Sequence, residues 1–108
     1  MKQFSCPYLE GNVELTDERE EHITATHPDL LPDYLPQLIE TLADPDQVRR
    51  STRMDKALLI ARRFDGIKGG KYIVVVVVSE EDSIRRNWII TAYLARKLTG
   101  GTLRWQKT

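Results

Sequence analysis

A chain of 108 residues is long enough for one hydrophobic core and too short for two, so residues 1–108 are expected to form a single domain. Its one cysteine, Cys6, excludes an internal disulfide and a cysteine-based zinc cluster, and fits a reducing compartment such as the cytoplasm. The formal charge of zero hides a division: residues 1–47 carry two basic against eleven acidic side chains, net −9, whereas residues 48–108 carry fourteen basic against five acidic, net +9.

In chain order, Val13 and Leu15 alternate with polar neighbours as a short strand does. Thr16 and Asp17 offer N-cap oxygens, and Glu20 stands three residues after Asp17 in a capping-box pattern, which predicts a helix from Asp17 to Thr26. Pro28 ends it by pushing His27 out of helical backbone. This helix is thinly apolar, with Ile23 and Ala25 as its only hydrophobes, so its inward face has to include Arg19, His22 or Thr26. Leu35, Leu38, Ile39 and Leu42 fall at i, i+3, i+4 and i+7 and predict a second helix with one apolar stripe, Asp33 as its cap and Pro36 in its first turn.

The remainder has the period of strands, at Val48–Arg53, Ala57–Phe64, Lys71–Ser79 and Arg86–Leu94. DGIKGG and EEDSIR are connections of hairpin length. The expected fold class is therefore α+β, two N-terminal helices packed on an antiparallel sheet of about four strands. Val74–Val78 belong at its centre, since five valines on an exposed edge would invite aggregation. The longest apolar run, Tyr72–Val78, is far below the roughly 20 residues that span a membrane, and no segment resembles a secretion signal, so a soluble protein with no membrane partner is expected.

The polar residues with chemical potential are few. His22 and His27 are the only histidines and the natural proton-transfer groups near neutrality. Five residues apart on a helix they stand about 140° from each other, which is not the i, i+4 geometry of a paired metal site, and no metal or cofactor is expected. His27, before a proline, is also a plain helix-end residue, whereas His22 shares a face with Ile23 and is expected to approach the sheet, in a structural or a catalytic role, and to matter more than His27. Arg62 and Arg63 end a strand and must point to opposite faces, so one of them can clamp a phosphate and the other can simply meet solvent. In NWIITAYLARK, Thr91 and Tyr93 set two hydroxyls on one strand face; both are good strand formers and both suit a phosphate site. The basic half attracts phosphates, or neutralises the acidic half across the fold.

The segments VELTDEREEHITATHPDL, LIETLADPDQVRRS, YIVVVVV and WIITAYLARKLTGGTLRW together resemble the phage-associated branch of the barnase, EndoU, colicin and RelE-like nuclease superfamily, over most of the chain from Val13 to Trp105. The resemblance implies two helices against a four-stranded antiparallel sheet, a metal-independent endoribonuclease of toxin or phage-effector type without cofactor, and His22, His27, Arg62 or Arg63, Thr91 and Tyr93 as the site. RNA is the expected ligand, and an antitoxin or immunity protein the expected partner. The competing expectation is a catalytically silent RNA- or protein-binding domain of the same fold.

Overall fold

A computed structural model describes residues 1–81 and 85–108. The elements are β1 (Lys2–Cys6), a short 3-10 turn (Pro7–Leu9), β2 (Gly11–Leu15), α1 (Asp17–Thr26), α2 (Leu35–Ala43), β3 (Gln47–Arg50), β4 (Ala57–Phe64), β5 (Lys71–Glu81), β6 (Arg85–Ala95) and β7 (Thr102–Gln106). The strands form one sheet in the order β1-β2-β6-β5-β4-β3-β7. Every pairing is antiparallel except β2 with β6, which run parallel through Val13–Asn87 and Glu14–Trp88.

The fold is α+β, but the sheet has seven strands and is mixed, which corrects the expectation of about four antiparallel strands. The additional strands lie at the two ends of the chain. Phe4 and Cys6 turn inward on β1 while their neighbours are exposed, and the strand hairpins onto β2 before the first helix begins. Every residue of β7 is exposed, so no buried alternation marks it in the sequence; its pairing with β3 defines it. Docking of the β1–β2 hairpin beside β6 also supplies the parallel pairing, through β2. The sheet curls far enough for Tyr8, beside β1, to meet Trp105 on the opposite edge strand, with ring centroids 6.2 Å apart. EEDSIR, read as a connection, falls partly outside the described residues; β5 continues to Glu81 and β6 starts at Arg85, paired with it.

One core holds the molecule together. Leu38 and Leu42 of α2, Ile23 of α1, and Leu30 and Leu31 between the helices meet Val13, Leu15, Val48, Ile60, Ile73, Val75, Val77 and Ile89 from the sheet. β5 lies between β6 and β4, in the interior of the sheet. Its odd-numbered residues face the helices, whereas Val74 and Val76 are equally buried on the helix-free face, at 2% and 6% exposure. Thr16, not Asp17, caps α1, its hydroxyl accepting from the Arg19 N–H at 3.2 Å. Tyr34 stands at the α2 N-cap without a side-chain bond, so Asp33 does not cap that helix.

The short first strand pairing leaves room for α1 at the edge of the sheet. β2 pairs with β6 for only two residues, and α1 then runs alongside the rest of β6, with an Arg19 guanidinium N–H donating to the Ile90 carbonyl at 3.5 Å. Ile23 is the one buried residue of α1. Ile23→Ala is accordingly expected to cost about 2–5 kcal/mol in chemical denaturation, and to lower hydrogen-exchange protection in α1 more than in β4 and β5.

Candidate functional site

On the helix-free face, Leu59 of β4, Val76 of β5, and Thr91 and Tyr93 of β6 floor a cleft of about 440 Å³. Their side chains share one face because Leu59 pairs with Val76, Val76 with Thr91, and Val74 with Tyr93 across adjacent strands. Residues 51–54 form one wall and Thr99–Gly101 the other. Tyr93, Leu59 and Thr99 also line a small recess of about 60 Å³ beside Arg49 and Lys97.

Both walls are held by identifiable bonds. The Ser51 hydroxyl accepts from the backbone N–H of Arg53 at 3.2 Å and of Met54 at 3.1 Å, closing the β3–β4 tip into a turn that sets Arg53 on the cleft. Across from it, the Arg49 guanidinium donates to the Gly100 carbonyl at 2.9 Å, the Gly101 carbonyl at 3.4 Å and Gln47 Oε1 at 3.3 Å. Gly101, at φ +71°, passes so close to β3 that a Cβ there would lie 2.6 Å from the Arg50 carbonyl oxygen. Only glycine allows that approach.

His27 reaches the site from the side. It is the C-cap of α1, its N–H donating to the Ile23 carbonyl at 2.7 Å and its own carbonyl accepting from Leu30 at 3.0 Å and Leu31 at 3.2 Å. With its backbone bonded in both directions, its ring stands 6.2 Å from that of Tyr93, centroid to centroid, at 40°. Among the described residues, the side chains of His27, Thr91, Tyr93 and Arg53 enter no hydrogen bond or ion pair of the fold, although three of them line the cleft and the fourth stands beside it.

The other expected residues lie elsewhere. His22 is exposed on α1, and its bonded group is its carbonyl, which accepts from the Thr26 hydroxyl. Arg62 turns to the helix side, bonded to Asp44 Oδ2 at 2.8 Å and 3.5 Å from Glu40 Oε1. Arg63 is on the helix-free face, as Tyr93 is, but beyond the cleft: it bonds Asp65 at 3.2 Å, lies 5.9 Å from the Tyr72 ring centre, and fills the space that a Cβ on Gly70 would need. Arg49, Arg53 and Lys97 are the cations at the cleft and its recess, and the sequence motifs did not single them out. Two signals were available. Arg49 follows the inward Val48 and must point to the helix-free face, and paired glycines at 100 and 101 mark a close backbone approach.

The charge division resolves into partial neutralisation. Arg86 binds Glu14 through two bonds, at 2.7 and 3.1 Å, and Asp44 receives both Arg62 and Lys107. Arg86 holds the Glu14 carboxyl below its ordinary range, and Lys107 followed by Arg62 does the same to Asp44. A slightly larger hollow, about 490 Å³ beside Gln3, Asn12, Glu14 and Arg86, is spanned by the first of these pairs, so those two charges are committed within the protein. The cleft cations have no such carboxylate partner among the described residues. Burial raises the Cys6 thiol above its usual range, which makes it a poor nucleophile, and among the described residues no three metal-ligating side chains come together.

Comparison with protein-family models, with curated proteins and with solved structures gave no match. Among the described residues, no helix is long and apolar enough to cross a membrane.

Gly101→Ala and Gly100→Ala provide a matched test of the wall. Both glycines have positive φ, at +71° and +78°, but a Cβ on Gly100 meets nothing within 4 Å. Gly101→Ala is expected to lower the melting temperature more than Gly100→Ala, and to shift the backbone resonances of Arg49 and Arg50.

Proposed function

We propose that the chain is an endoribonuclease that cleaves single-stranded RNA by attack of the RNA's own 2′-hydroxyl, in the manner of the nuclease superfamily that its sequence resembles. The observation that carries this reading is the His27–Tyr93 ring pair, 6.2 Å apart, beside a cleft whose Arg53 and Thr91 are uncommitted. Such cleavage needs a base for the 2′-proton, an acid for the leaving 5′-oxygen and a cation near the crowded phosphate, and none of these roles requires a metal. An imidazole takes or gives a proton near neutral pH, and a phenol can donate one, so His27 and Tyr93 share the two transfers. A guanidinium holds its charge throughout, which suits Arg53 to the developing phosphate charge. Thr91 can only position, through a hydrogen bond to a phosphate oxygen. Arg49 acts one step away, because it secures the Gly100–Gly101 wall. Leu59 and Val76 give the floor an apolar patch against which a base can lie.

The same uncommitted cations and hydroxyls would also hold an RNA strand without cutting it, which is the alternative of a catalytically silent RNA-binding domain. Purified protein incubated with a mixed single-stranded RNA pool in EDTA separates the two. Tyr93→Phe retains the ring and loses the hydroxyl, and His27→Gln retains the helix end and loses the imidazole. Each is expected to slow cleavage by about 10²-fold or more, whereas His22→Gln, on an exposed side chain, is expected to stay within a few-fold of the parent. Wild-type rates in both Tyr93→Phe and His27→Gln would overturn the catalytic assignment. Binding without cleavage, in EDTA and in magnesium alike, would give the function to the alternative.

A further inference from the structure

A second basic hollow lies behind the same hairpin tip. Arg50, Lys56 and Arg85 line a pocket of about 380 Å³ together with the Ser79 hydroxyl, over an apolar base formed by Leu9 and Leu58. Leu58 and Leu59 are successive residues of β4, so this pocket and the cleft stand on opposite faces of the same end of the sheet. The tip that joins β3 to β4 separates them: Ser51–Met54 wall the cleft, and Arg50 and Lys56, at the two ends of the tip, line the pocket.

Two features suit the pocket to an anion. Among the residues whose side chains are described, no carboxylate lines it; Asp55 approaches Arg50 only to 3.8 Å and is 86% exposed, a weak competitor for that guanidinium. The Ser79 hydroxyl spends its proton on Asn87 Oδ1, so the attraction for an anion comes from the three cations. Lys56 is held at φ +63°, a backbone conformation that side-chain-bearing residues rarely adopt. Strain of that kind persists where the surrounding structure enforces it, and here it delivers an ammonium to a basic pocket.

We infer that this pocket binds a phosphodiester of the same single strand that occupies the cleft, the strand passing over the β3–β4 tip so that one phosphate meets Arg53 on one side and another meets Arg50, Lys56 and Arg85 on the other. The inference rests on the reading of the cleft as an RNA site and adds to it a strand path. A dinucleotide can fill only the cleft, whereas a longer strand reaches both hollows and gains affinity from the second.

The test is equilibrium binding of a fluorescent dinucleotide and a fluorescent octanucleotide at several salt concentrations, with the wild type and with the double variant Lys56→Gly, Arg50→Gln. Glycine accepts the left-handed backbone at position 56, so the variant loses charge without added strain, and its melting temperature verifies that it folds. The wild type is expected to bind the octanucleotide more tightly than the dinucleotide. The double variant is expected to lose that gain, to bind the dinucleotide as the wild type does, and to show a slope of log affinity against log salt smaller by about 0.7, the loss of one single-strand phosphate contact. An unchanged octanucleotide affinity and slope in the variant would overturn the pocket inference and leave the cleft reading standing. Failure of the wild type to bind either oligonucleotide would overturn the cleft reading and the inference with it. Inorganic phosphate, added while the amide resonances of Arg50, Lys56 and Ser79 are followed, separates the sources: wild-type shifts that the variant loses, with octanucleotide binding unchanged, would make this a free-anion site and overturn the strand path.

Discussion

Five successive valines leave β5 with no face to give to water. Full burial of each valine side chain is worth about 1.5–3 kcal/mol, so both faces of the strand have to be covered. The helices and the segment between them cover one face. Val74 and Val76 are covered on the other by neighbouring side chains, Leu59 and Tyr93 among them, and by the two loops that rise at residues 51–54 and 97–101. A helix-free face built this way is a set of side chains and loops with space between them, and that space is the cleft. The candidate site is thus a consequence of a hydrophobic requirement at the centre of the sheet.

The second determinant is the way the edge of β6 is shared. A full-length strand beside β6 would have kept α1 away from its C-terminal half. Because the parallel pairing with β2 lasts only two residues, α1 takes the place beside Ile90 and carries His27 to Tyr93. This also accounts for a helix with little apolar character. Its anchor is one buried isoleucine, its approach to β6 is through the Arg19 guanidinium, and its C-terminal end is bonded to the segment that leads into the core at Leu30 and Leu31.

Electrostatics then divides the surface by commitment. Arg62, Arg86 and Lys107 from the basic half are bound to acids of the other half, at distances from 2.7 to 3.5 Å. Such exposed pairs add little stability, but they remove those cations from competition for outside anions. Arg53 and Lys97 at the cleft, and Lys56 behind it, are outside these pairs. Attraction for a phosphate chain is therefore set by which cations the fold leaves over, and the net charge of zero conceals it.

The amino-acid sequence by itself determined those elements whose local pattern is strong: α1 between a Thr16 cap and Pro28, α2 from its leucine stripe, β4, β5 and β6 from their alternation or apolar runs, and the shared face of Thr91 and Tyr93 from the period of two. β1 and β7 were not legible, because β1 has two inward residues and β7 has none, and a strand without a buried face is recognisable only from its pairing partner. Tertiary structure also decided which histidine stands at the cleft. His22 and His27 are alike in chemistry, and the choice depends on where α1 meets β6, a contact between segments about seventy residues apart. The arginines followed the same rule. Arg62 and Arg63 had to face opposite ways, but only the packed fold gave Arg62 to Asp44, carried Arg63 past the cleft to Asp65, and left Arg53 on the cleft with its charge unspent, because a side chain's partners are set by which distant elements the core brings against its strand.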